Sequence, residues 1–338
     1  MYISNLLFLL IKILIFIFLL MFCVAYLTYA ERKIIAYIQL RIGPNRVGWK
    51  GLLQPFSDII KLFTKEIIFP VESNKFLFIF SPIISLIISL MGWSVIPLSY
   101  TMAFSNLNLG VLFIFMISSM GVYPILIAGW SSNSKYAMLG ALRSAAQTIS
   151  YEIPMGIGYI GIILASNSTN LIDIVKSQSG GIWHWWVIPM FPLFMTFLIS
   201  AIAENNRAPF DLVEGESEIV AGFHVEYSGV IFAMFFLSEY VNMIFLSTVI
   251  SLLFFGGWLS PFDGIFFLDN FFIAIPSFLW LLIKVLFFLF IYLWIRGTFP
   301  RYRYDSLMQL GWKILVPISF CWLIVIICMV QLHCKPWF

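Results

Sequence analysis

The chain reads as long apolar runs separated by short polar clusters, and the gaps between charged residues mark out its elements. Ile13 to Ala30 is an 18-residue stretch without a charge, and residues 76–134 contain no Asp, Glu, Lys or Arg. That second gap has room for two crossings joined by a turn near Pro97 to Asn108. Residues 144–172 carry only Glu152, 177–203 no charge, 227–262 only Glu239, 270–295 only Lys284 and 314–334 none. A helix needs about 20 apolar residues to cross a hydrocarbon layer about 30 Å thick. The pattern therefore predicts an all-α polytopic membrane protein of one domain. Its eight transmembrane helices are expected over about 5–28, 76–98, 110–130, 144–166, 184–203, 228–256, 271–295 and 312–332. The first run is too long for a signal-peptide core and has only Lys12 as its basic flank, so it reads as the first span.

A different period appears between the first two spans. Leu52, Phe56, Ile59, Ile60, Phe63 and Ile67 share one face of a helix, and Gln54, Ser57, Asp58, Lys61 and Lys65 fill the opposite one. An amphipathic helix over about 51–66 is expected to lie along the membrane surface. Its charged face turns either to water, as a simple anchor would have it, or to a partner.

Composition fits the pattern. The chain is 62% hydrophobic and 10% charged, which excludes a soluble globular protein, where about a quarter of residues are charged. A net charge of +3 gives no reason to expect nucleic acid. The four cysteines form no C-x-x-C and the three histidines have no ligand spacing, so no metal or iron–sulfur site is expected on this chain alone.

The location of the charges carries more than their sum. Fifteen Lys and Arg fall in the segments after spans 1, 3, 5 and 7, and only Lys176 and Lys335 on the other side. The positive-inside rule thus puts both termini outside. On the inner side, residues 204–226 hold Glu204, Asp211, Glu214, Glu216, Glu218 and Glu226 against one Arg207, an acidic block where topology favours positive charge. Glu214 and Glu218 are four apart, and their repulsion on one helix face would raise at least one pKa. Glu152 and Glu239 lie within spans, where an ionised side chain costs about 2.5–3.5 kcal/mol and is normally turned to a partner or a wet cavity. Glu239 reads either as a proton-handling acid or as half of a buried structural pair with an inner arginine.

Three long motifs resemble a known family. Ala30-Glu31-Arg32-Lys33, Arg41-Ile42-Gly43-Pro44-Asn45-Arg46-Val47-Gly48 and Gly51-Leu52-Leu53-Gln54-Pro55, with Asp58, Lys61 and Lys65-Glu66, resemble the first inner loop of subunit 1 of respiratory complex I. Glu204-Asn205-Asn206-Arg207-Ala208-Pro209-Phe210-Asp211-Leu212 through Glu218, then Glu226-Tyr227, resemble its acidic third inner loop. Arg296-Gly297-Thr298-Phe299-Pro300-Arg301-Tyr302-Arg303-Tyr304-Asp305 with Gly311-Trp312-Lys313 resemble its last. The resemblance implies a membrane-arm subunit of proton-pumping NADH:ubiquinone oxidoreductase with no redox cofactor of its own. Ubiquinone would be the substrate, FMN and iron–sulfur clusters would sit on partners, and hydrophilic quinone-module subunits would dock on the inner face beside other membrane-arm subunits.

By the same resemblance, Glu31, Arg32, Arg41, Arg46, Asp58, Lys61, Arg207, Phe210, Asp211, Arg296 and Arg301 would line or brace the quinone tunnel and the subunit interface. Glu152, Glu204, Glu214, Glu216, Glu218, Glu226 and Glu239 would couple it to proton movement. A mitochondrial inner membrane is the expected location, with a bacterial plasma membrane the alternative. Two rival readings are an autonomous ion transporter, which leaves the one-sided basic, amphipathic and acidic segments unexplained, and a quinone-independent anchor of a hydrogenase-type complex.

Overall fold

The computed structural model describes residues 2–100, 102–211, 222–263, 275–333 and 337, and all regular structure among them is helical. Helix α1 (Tyr2–Ile38) leads through a surface segment to α2 (Gln54–Thr64), then α3 (Lys75–Met91), α4 (Gly110–Met120), α5 (Val122–Ser131) and α6 (Lys135–Ser166). Short α7 (Leu171–Lys176) precedes α8 (Phe191–Glu204), α9 (Gly229–Phe254) and α10 (Ser277–Thr298). The chain finishes with α11 (Tyr304–Gln309), a π-helical turn Leu310–Leu315 and α12 (Val316–Gln331).

Among the described residues, seven continuous helical stretches are long and apolar enough to cross a membrane, with α4–α5 and α11–α12 each forming one such stretch. The remaining expected span is α8, shorter at 14 residues, which is about 21 Å at 1.5 Å per residue. The expected start at residue 184 is instead a 3-10 turn Ile182–His184, and Pro192 opens the helix proper. Other boundaries also differ from the hydropathy reading. The first helix continues to Ile38 instead of ending near 28, and α6 begins at Lys135 instead of 144. Charge ends an apolar run but not a helix: Glu31, Arg32 and Lys33 are good helix formers, and Ser134 caps α6 by accepting from the Ala137 amide. The surface helix is trimmed to 54–64, with Pro55 in its first turn.

The spans alternate in direction, as their end contacts show. At one end, Arg32 meets Asp58, the Asn74 amide donates to Ser131 O, and the Tyr302 amide donates to Pro209 O. At the other, the Val111 amide donates to Thr169 O, the Ile182 amide to Pro261 O and the Val187 amide to Phe254 O. Helices α6 and α9 form the centre, with 61% and 56% of their most apolar windows buried inside the protein, against 11% for α1 and 17% for the α11–α12 stretch. The central helices are the two that carry Glu152 and Glu239, and packing leaves both acids partly buried.

Candidate functional site

The inner end of the bundle holds a cavity of about 440 Å³ lined by Glu31, Arg32, Arg41, Phe236, Tyr240 and Arg296, among others. Helix α1 presents Glu31 to it only because the helix outlasts its apolar run. Gly43, at φ 68°, turns the chain back against α1, where an added Cβ would lie 3.0 Å from Ala36 Cβ. Lys33 then donates to Pro44 O at 2.9 Å and closes the turn.

Behind the cavity lies a buried ionic cluster. The Glu31 carboxylate, 6% exposed, pairs with Arg296, accepts the Tyr240 hydroxyl at 2.6 Å and faces Arg207 at 4.0 Å. Arg207, 7% exposed, reaches Glu239 at 3.3 Å and lies over the Tyr240 ring at 4.3 Å and the Phe236 ring at 5.1 Å. A desolvated guanidinium needs such compensation, and two carboxylates and two ring faces supply it. Glu239 thus has an inner arginine, Arg207, as its ion-pair partner, an arrangement compatible with either reading of the acid. The same guanidinium also joins Glu239 to Glu31, 208 residues apart in sequence.

The segment carrying Arg207 is held from several sides. Gln147 on α6 donates to Ala203 O at 2.8 Å and Phe210 O at 2.9 Å. Phe210 stacks on Tyr302 at 5.7 Å, Arg301 pairs with Asp211 at 3.5 Å, and Asn205 donates to Tyr292 Oη at 3.4 Å. Pro154 within α6 removes the amide that Ser150 O would otherwise accept. The helix nonetheless runs unbroken past Glu152.

A second, smaller cavity of about 70 Å³ penetrates between α3, α4, α6, α8 and α9. Its lining includes Glu204, Asn205, Asn206, Ser238, Glu239 and Asn242, a polar set at bilayer depth with room for a few waters. Glu204 lies within electrostatic reach of Glu152, whose carboxylate accepts the Ser119 hydroxyl. Glu239 therefore belongs both to the ionic cluster and to the wall of this cavity. The carboxylates from Glu31, which is buried, through Glu239 and Glu204 to Glu152, which are partly buried, form a series.

Not every expected residue joins this arrangement. Arg46 and Lys61 are exposed on the inner surface and line neither cavity, and Asp58 serves Arg32 at 2.5 Å and Gln54 at 3.0 Å. Glu226 is half-buried; beside it Tyr227 stacks on Phe78 at 4.0 Å, and burial pushes its hydroxyl up to about 12. Glu214, Glu216 and Glu218 lie outside the described residues. Among residues that hydropathy did not single out, Tyr240, Asn205 and His224 stand in or against the cluster, His224 with Nε2 at 3.4 Å from Glu239. Tyr240 had one sequence signal, its position next to Glu239 in an apolar span. Asn205 lay within the Glu204–Leu212 motif, and His224 had no signal beyond its residue type.

A sequence model described as NADH dehydrogenase matches residues 11–327, which takes in all three inner motifs and all or most of each span. With most of the chain matched, and a membrane bundle whose ionisable groups gather at one end, the chain belongs to the NADH dehydrogenase family, the family of complex I subunit 1.

Proposed function

We propose that this chain forms the quinone access passage and the first stretch of the proton-coupling path in a proton-pumping NADH:ubiquinone oxidoreductase of the mitochondrial inner membrane. The hydrophilic arm docks on its inner face. The observation that carries the reading is that Arg207 touches an acid at the mouth cavity, Glu31, and an acid of the interior cavity, Glu239, at once.

Converting a quinone to a quinol takes two electrons and two protons, and the electrons come from cofactors on partner subunits. Negative charge arriving near the mouth attracts Arg207 and Arg296. In a low-dielectric setting a small shift of a guanidinium changes carboxylate proton affinity strongly. When Arg207 is drawn toward the mouth, Glu239 loses its counter-charge and takes up a proton. Glu204 and then Glu152 adjust in turn. Arg41 and Arg32 line the mouth, while Phe210, Asp211 and Arg301 brace the Arg207 segment. Glu214, Glu216, Glu218 and Glu226 supply further proton-holding groups on the same inner side, and Arg46 and Lys61 serve the subunit interface.

Glu152→Gln keeps the hydrogen bond to Ser119 but cannot hold an ionisable proton. In the assembled enzyme it should lower quinone reductase turnover and proton pumping by about fivefold or more, the effect of a coupling free energy of about 1 kcal/mol. Reductase assays and pH-gradient measurements on vesicles check this. Unchanged turnover and pumping would remove Glu152 from the path.

A further inference from the structure

His224 closes the 3-10 turn Gly222–His224, just beyond the acidic segment, and its side chain is 3% exposed. Its ring is packed among aromatics, with centroids 3.8 Å from Phe223, 5.3 Å from Phe235 and 5.6 Å from Phe232. In that apolar box the Nε2 atom stands 3.4 Å from Glu239 Oε1, and neither ring nitrogen makes a hydrogen bond among the described residues. A buried imidazole without hydrogen bonds is costly, and a phenyl ring would fill the same space. What imidazole adds over phenyl is a pair of ring nitrogens able to accept and pass on a proton.

We propose that His224 is a proton-holding partner of Glu239, so that the proton leaving or reaching Glu239 on the inner side is carried by the imidazole. The step is a single proton transfer. The imidazolium Nε2–H gives its proton to Glu239 Oε1, leaving a neutral ring and a carboxylic acid, and no electron changes hands. Arg207 on the far side of Glu239 sets the direction. A nearby Arg207 opposes the transfer by favouring the Glu239 carboxylate, and its withdrawal lets the proton cross. The turn meets α5, α6 and α9. From α9 the titratable group facing the ring is Glu239; Arg143 on α6 lies over Tyr304, Tyr123 on α5 is exposed, and neither is bonded to His224. Gly140 lets α6 approach the turn backbone to backbone, since a Cβ there would lie 2.6 Å from Gly222 Cα.

The inference rests on the proposed role of Glu239 in proton coupling, and its test separates the two. In assembled enzyme, His224→Asn, Glu239→Gln and the double variant are compared for reductase turnover against pH and for pumping. His224→Asn is expected to shift the flank of the pH profile between about pH 6 and 8 by about one unit and to lower pumping about fivefold at its alkaline side. In the Glu239→Gln background it should add nothing. A superimposable pH profile for His224→Asn, with Glu239→Gln still impaired, overturns the role of His224 alone. Full pumping by Glu239→Gln overturns the coupling role of Glu239, and this inference with it. If the asparagine variant does not assemble, His224→Gln is read by the same criteria.

Discussion

At the residue scale, the costliest groups in this membrane protein are those whose partners are backbone or distant in sequence. Lys284, in the apolar run of α10, illustrates the first kind. Its ammonium donates to Phe255 O at 2.7 Å, Gly257 O at 2.8 Å and Leu259 O at 2.7 Å, and lies over the Trp185 ring at 4.3 Å. Those carbonyls follow the C-terminus of α9, where the helix macrodipole also favours a cation. Lys284→Met keeps the stem's packing but strands three acceptors, that of Gly257 buried and those of Phe255 and Leu259 partly buried, each worth up to about 1–3 kcal/mol. The assembled enzyme should lose activity on heating at a lower temperature than wild type, with turnover at low temperature little changed, because the site lies at the outer end. Residual activity after timed heating measures this.

At the element scale, helix propensity and packing make opposite demands. In an isolated helix alanine is better than glycine by about 1 kcal/mol, so Gly140→Ala ought to stabilise α6. In the fold, the added Cβ would lie 2.6 Å from Gly222 Cα, backbone against backbone with no side chain able to yield. The turn bearing His224 must then move off α6, at a cost of about 1–3 kcal/mol. Gly140→Ala should therefore reduce the yield of assembled enzyme, as read on a native gel. The surface helix shows another element-level tension. Phe56, Ile59, Ile60 and Phe63 on α2 are 39%, 39%, 64% and 70% exposed, so among the described residues its apolar stripe is only partly covered, in part by Phe22 and Tyr26, and suits an apolar surface.

At the scale of the whole molecule, burial is concentrated in α6 and α9, and the first and last helices are peripheral. Exposed Leu14, Ile15 and Phe18 on α1 form a surface suited to lipid or other membrane-arm subunits. The inner end joins this hydrophobic body to a cluster of ionic residues fit for a hydrophilic partner. Gently solubilised membranes run on a native gel should show this chain only in a large NADH-oxidising band, identified by mass spectrometry. Migration near its own 38.9 kDa would contradict membership of a larger assembly.

The sequence by itself determined what depends on local pattern: the apolar runs, the side that holds the positive charge, the amphipathic α2, and the three motifs that mark the family. Hydrophobicity and helical period act over a few turns, so a single chain displays them. Helix ends were less legible, because charges at Glu31 and Arg143 stop an apolar run while leaving backbone hydrogen bonding intact. Only the tertiary structure decided that Arg207 is shared between Glu31 and Glu239, that Arg296 closes on Glu31, that His224 faces Glu239, and that Lys284 binds carbonyls. Each of these depends on which faces of distant helices meet. In low dielectric it is that meeting, and not the residue type, that decides whether a buried charge is a liability or a working part.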